Sequence, residues 1–212
     1  MVDFQSRDTR YSDVDDDGDE PAEDEGTETN SADDHADHDH GDDDHTDHDH
    51  HSHDTAELGV GIVTISSTRT REEDPSGDVI QAAVESEGHE VVVRDVVRDN
   101  YDGIQNAVDA LVSRDDVDLV VTTGGTGVTP DDVTVEAVEP LFEKELPGFG
   151  ELLRLLSYET VGTKAICTRA TAGIADGVPV FCLPGSENAA RLGIEKIVVP
   201  EAPHLAGLAT RE

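Results

Sequence analysis

Between residues 58 and 123 the chain alternates short apolar runs rich in Val and Ile with stretches of helical period, and this alternation restricts the fold more than any other feature. Residues 58–66, LGVGIVTIS, have the length and β-branched content of a strand covered on both faces. Residues 75–88 then place Val79, Ile80, Ala83 and Val84 at helical spacing, with Gly88 positioned to end the helix. A second strand is predicted over 89–97. A second helix is predicted over 102–113, with Ile104, Ala107, Val108 and Leu111 on one face, and a third strand over 117–123 runs straight into Gly124. Right-handed crossovers through helices return each strand to the same end of a sheet, so the expected fold class is α/β, a mostly parallel sheet with helices on both faces. Further along lie an apolar-periodic stretch at 134–142, a helix near 149–158, a strand at 178–183 and a last helix over 187–196.

The first 57 residues show no such pattern. They hold 23 Asp or Glu against two Arg, with few apolar residues, and cannot bury enough surface to offset the entropy of ordering. A disordered acidic tail over 1–57 and a folded domain over 58–212 are expected. The domain itself carries 27 acids against 12 bases, with only Lys144, Lys164 and Lys196 as lysines. Such a surface repels itself, and molar salt, with a Debye length of about 3 Å, screens that repulsion. A halophilic source is the expectation, with an acidic mesophilic protein as the alternative. The net charge of −36 leaves no basic stripe for phosphate backbones and argues against nucleic acid. Without an 18-residue apolar run or a basic start followed by an apolar segment, a cytoplasmic protein that does not enter a membrane is expected. Cys167 and Cys182 stand in apolar surroundings without C-x-x-C spacing and read as buried free thiols.

Eight histidines, His35, His38, His40, His45, His48, His50, His51 and His53, alternate with carboxylates inside the tail. Imidazoles on so pliant a chain offer weak, multivalent binding of a transition metal; a solvated tail without a metal role is the alternative. Catalysis is expected to survive its removal.

In open parallel sheets, ligands collect beyond the carboxyl ends of the strands. The third predicted strand continues as Thr122-Thr123-Gly124-Gly125-Thr126-Gly127, where backbone amides can turn inward around a phosphate or carboxylate. The loop lacks the Gly-Lys-Ser/Thr ending of a P-loop, and a tight turn without a ligand would use similar residues. Asp132, just after it, and Asp99, after the second strand, lie along the same rim of the predicted sheet and together suit a magnesium ion, which takes one or two protein carboxylates alongside phosphate oxygens and water. The plainer alternatives are a helix cap for Asp132 and a turn residue for Asp99. Pro184-Gly185-Ser186, at another strand-to-helix junction, offers either a second anion site with a hydroxyl or a plain cap.

The run VVTTGGTG, followed by four residues and Asp132, closely resembles the signature of the MogA/MoaB family of molybdopterin-binding domains. Further similar stretches are TISSTR at 64–69, DPSGD at 74–78, ELPGFGELLRLLSYETVGT at 145–163, RATAGIADG at 169–177 and CLPGS at 182–186. In order and spacing they look closest to the MoaB branch and span about residues 58–200. The resemblance implies a three-layer α/β/α sandwich assembling as a homo-trimer or hexamer. It also implies molybdopterin adenylyltransferase activity: the molybdopterin phosphate attacks the α-phosphorus of Mg-ATP, and pyrophosphate leaves. Catalysis and Mg2+ then fall to Asp99 and Asp132, and ligand binding to Thr123, Gly124, Gly125, Thr126, Gly127, Pro184, Gly185 and Ser186. A downstream molybdate insertase is an implied partner, and a non-catalytic molybdopterin carrier is the alternative function. One departure stands out. Many relatives read Ser-x-Ser-Asp-Arg after the first strand, whereas this chain reads Ser66-Ser67-Thr68-Arg69 without the acidic position, so Ser67 receives no role.

Overall fold

A computed structural model of the chain describes residues 57–210. The eight tail histidines named above lie outside the described residues. Every described residue belongs to one compact unit.

The described strands form one sheet. β1 (Gly59–Ile65), β2 (Glu90–Val97), β3 (Leu119–Thr123) and β6 (Val178–Leu183) are parallel, while β5 (Thr171–Ala175) is antiparallel to both its neighbours, β6 and the two-residue edge strand β4 (Lys144–Glu145), giving the order β2-β1-β3-β6-β5-β4. All five residues of β3 are buried, as a central strand with helices on both faces requires. Side chains alternate between two cores. Val60, Ile62, Leu119, Val121, Phe181 and Leu183 face one core with α1 (Pro75–Ser86), α4 (Pro147–Val161), α5 (Glu187–Gly193) and α6 (Val199–Ala209). Val63, Ile65, Val120, Val180 and Cys182 face the other with α2 (Tyr101–Val112) and α3 (Thr134–Val138). This is the expected three-layer α/β/α arrangement.

Two features depart from the expected elements. β5 and β6 form a hairpin through Asp176 and Gly177, both at positive φ (49° and 75°), the conformation a two-residue Asp-Gly turn requires. The helix expected to end near 196 instead passes through a π turn, Ile194–Val198, into α6. Pro200 cannot donate to the Lys196 carbonyl, which lies in the π turn, and the wider turn there accommodates the ring without ending the helix; Pro203 follows inside α6.

The first helix is anchored by a buried ion pair. Asp74 caps α1 by accepting from the Gly77 amide at 3.1 Å and takes a 2.6 Å bond from the Thr64 hydroxyl and a 3.0 Å bond from Arg94 of β2. A carboxylate with 1% exposure is tolerated only when so fully partnered.

The expectation for the cysteines holds for one of them. Cys182 is buried, but Cys167 is exposed, because it closes a 3-10 segment, Gly162–Cys167, that packs into neither core and leaves Ile166 78% exposed. Among the described residues no helix is long and apolar enough to cross a membrane.

Candidate functional site

β3 delivers its chain to the carboxyl rim of the sheet, where the glycine loop turns through positive φ at Gly124 (106°) and Gly125 (64°). A Cβ at Gly124 would lie 2.3 Å from the Ile65 carbonyl, and one at Gly125 would lie 2.2 Å from the Thr134 hydroxyl. Both positions therefore require glycine on conformational and steric grounds. All four loop carbonyls are engaged. Gly124 O accepts from the Thr134 hydroxyl at 2.8 Å and Gly125 O from the Thr134 amide at 3.0 Å; Thr126 O accepts from the Arg169 amide at 2.8 Å and Gly127 O from Arg169 Nε at 2.7 Å. Among the described residues nothing accepts from the amides of Gly125 and Thr126, although Thr126 is only 2% exposed. A buried amide without a partner is rare and costly; Thr126 is buried and Gly125 half-buried, and both line a cavity.

That cavity encloses about 600 Å³, bounded by Gly125, Thr126, Gly127 and Asp132 on one side and Pro184, Gly185 and Ser186 on another. The far wall comes from the end of α4 and the segment after it, including Ser157, Thr160, Lys164 and Cys167. Lys164 is the single cationic side chain among these wall residues, and it forms no ion pair with any described residue.

Asp132 does not cap the following helix. α3 has Val133 at its N-cap, with no side-chain cap bond. The Asp132 carboxylate instead accepts from the Thr129 amide at 2.8 Å and the Thr129 hydroxyl at 2.6 Å. Partial burial opposes its ionisation, but the bonds from Thr129 and the Gly127 amide, with the nearby charge of Arg169, outweigh that penalty and hold its carboxyl below the ordinary aspartate range. The wall is thus anionic at this point, and Asp132 shares the cavity with Lys164 and the two unpartnered amides.

The remaining sequence-selected residues take different places. Thr123 is fully buried and donates to the Pro184 carbonyl at 2.9 Å, so its hydroxyl joins the two loops and is not part of the wall. Gly124 lies beneath the wall, close enough to Gly185 that a Cβ there would sit 3.0 Å from Gly124 Cα. Ser186 lines the cavity and also caps α5, accepting from the Ala189 amide at 3.4 Å. Asp99 follows β2 on the same rim, half-buried, with β1 between it and β3, and it is not a wall residue. The cap of α2 beside it is supplied by Asn100, which accepts from the Gly103 amide at 2.8 Å.

Sequence reasoning passed over Arg169, Thr134, Lys164 and Ser76. Ser76 is fully buried, donates to the Gly185 carbonyl at 2.8 Å and accepts from Arg69 at 3.0 Å, linking the cap of α1 to the Pro-Gly loop. Only the Asp-Pro-Ser sequence at 74–76 carried a local signal, that of a capped helix start with proline in the first turn.

A mostly parallel sheet whose carboxyl rim carries a glycine loop with two unpartnered amides, beside a cavity lined by a lysine and an aspartate, has the layout of an α/β ligand-binding protein. Residues 61–204 match the family described as the probable molybdopterin binding domain, and the chain belongs to that family. Molybdenum cofactor biosynthesis protein B of Bacillus subtilis is 44% identical over 145 residues, covering 68% of this chain and 85% of the relative. A crystal structure of a molybdenum cofactor biosynthesis protein B superimposes with a TM-score of 0.72 at 43% identity, over 74% of this chain and 98% of that one. The tungsten cofactor synthesizing protein MoaB from Pyrococcus furiosus gives 0.67 at 40% identity, over 74% and 99%.

Proposed function

We propose that the chain acts in molybdenum cofactor biosynthesis as a molybdopterin adenylyltransferase. The observation that carries this reading is the pair of free amides at Gly125 and Thr126, on a loop whose carbonyls are all bonded elsewhere, opening into a cavity large enough for a pterin or a nucleotide. These amides and Lys164 receive phosphate oxygens. An oxygen of the molybdopterin phosphate forms a bond to the α-phosphorus of ATP, the bond from that phosphorus to the bridging oxygen breaks, and pyrophosphate leaves. Holding the two phosphates in line and stabilising the charge that develops between them is most of what a protein contributes to such a transfer. Of the two aspartates, Asp132 fits a magnesium ion, since it is ionised and part of the cavity wall; with substrate phosphates and water completing the shell, the ion supplies neutralisation of the triphosphate. The reading includes a homo-trimer or hexamer, supported by the exposed apolar row Leu152, Leu155, Tyr158 and Val161 on α4.

The position of Asp99 outside the wall favours a second reading, a molybdopterin carrier without turnover. The deciding experiment incubates the purified full chain with Mg-ATP and molybdopterin in molar KCl and measures pyrophosphate and adenylyl-molybdopterin, alongside Asp99→Ala and Asp132→Ala. Turnover that disappears in Asp132→Ala while pterin binding persists supports the transferase. Tight pterin binding by the wild-type chain with no pyrophosphate released leaves the carrier.

A further inference from the structure

Arg169 begins the stretch leading into β5, remote in sequence from the glycine loop, and its guanidinium bonds that loop, the turn after it and the helix α3 that follows. Nε donates to Gly127 O at 2.7 Å, one terminal nitrogen donates to Asp132 O at 2.8 Å, and the fork closes on the Glu136 carboxylate of α3. With the Arg169 amide on Thr126 O, one residue fixes the carbonyls of Thr126, Gly127 and Asp132 from behind the loop. A peptide plane whose carbonyl is held on one side directs the next amide to the other. Loosening this brace frees Gly127 and Asp132 to rotate and releases both the Thr126–Gly127 end of the cradle and the Asp132 side chain from the wall.

We propose that Arg169 is a positioning residue for the anion site, with Glu136 as its anchor: it touches no ligand but, through the Thr126 and Gly127 carbonyls, keeps the Gly127 amide on the Asp132 carboxylate and so holds Asp132 and the Thr126–Gly127 end of the cradle at the cavity wall, while Thr134 sets the Gly125 and Thr126 amides. This rests on the phosphate-binding reading above. The side chain reaches the loop from a second groove of about 670 Å³, lined also by Glu139, Arg154, Ile166 and Thr171, so a small cation in solution has access to the place the guanidinium occupies.

The test uses the full chain in molar KCl with inorganic pyrophosphate as the probe. Its affinity is measured by calorimetry and the hydrogen exchange of residues 124–134 by mass spectrometry, for wild type, Arg169→Ala, Arg169→Lys and Glu136→Gln. Losing a charged brace of this kind is expected to weaken pyrophosphate binding roughly ten- to a hundredfold and to speed exchange in the loop while β1 and β6 stay protected. Lysine should recover little, since an ammonium cannot reproduce a planar fork, whereas millimolar guanidinium should restore binding to Arg169→Ala, a rescue that general destabilisation would not show. Glu136→Gln keeps the guanidinium and should fall between, which decides the matter if the alanine variant does not fold. Variants that bind pyrophosphate as tightly as the wild type overturn the role of Arg169 alone. A wild-type chain that binds no pyrophosphate overturns the phosphate reading of the loop, and this inference with it.

Discussion

The two thiols of the chain occupy opposite environments, and their chemistry should separate accordingly. Burial pushes the Cys182 thiol up to about 12, with the neighbouring Thr122 hydroxyl opposing the shift only in part; Cys167 is exposed on the cavity wall. Because the thiolate is the reactive form, a chromogenic disulfide reagent at pH 8 should titrate one thiol in the native chain and two after denaturation, and saturating molybdopterin should slow the native reaction. Two fast thiols in the native state would contradict the packing of β6. At this scale legibility followed locality. Gly124 and Gly125 could be selected because positive φ after a buried strand is a local demand, and Asp132 because it follows them closely. Arg169 and Lys164 could not, since what gives each its place is a partner or a wall assembled from distant parts of the chain.

Among the elements, β6 bears on both cores and on the site at once. Its Phe181 packs edge to face on Phe149 of α4, with ring centroids 5.1 Å apart, and its end continues into the Pro-Gly loop. Phe181→Ala should cost about 3–5 kcal/mol in urea unfolding, and a smaller loss would mean that α4 collapses into the void. The parallel strands and their crossover helices were readable because their apolar periods differ. The antiparallel edge was not read, although Asp176-Gly177 between apolar residues is a hairpin signal. Ala172 and Gly173 in β5 offer little of the β-branched character that marks a strand. The last helix was expected to end at 196, short of Pro200, whereas the chain runs on through a π turn that no local signal announces.

For the molecule as a whole, charge is the term most open to control. With 27 acidic against 12 basic residues in 58–212, mutual repulsion should weaken as salt is added, and the melting midpoint should climb from low to molar KCl. A screening gain of about 3 kcal/mol corresponds to a rise of roughly 6–12 °C for a domain of this size. A midpoint indifferent to KCl would remove the case for salt adaptation. The Asp74–Arg94 pair, being buried, should be insensitive to the same titration.

The floor of the site is main chain resting on main chain, Gly185 against Gly124, closed to any added side chain by contacts of 3.0 Å and less. A side chain added here would have to displace that main chain, so substitution has little room to reshape this floor, on which the proposed anion rests. If the proposed reading holds, a lineage could exchange one ligand preference for another by redrawing the wall around 157–168 while this floor passed unchanged from ancestor to descendant.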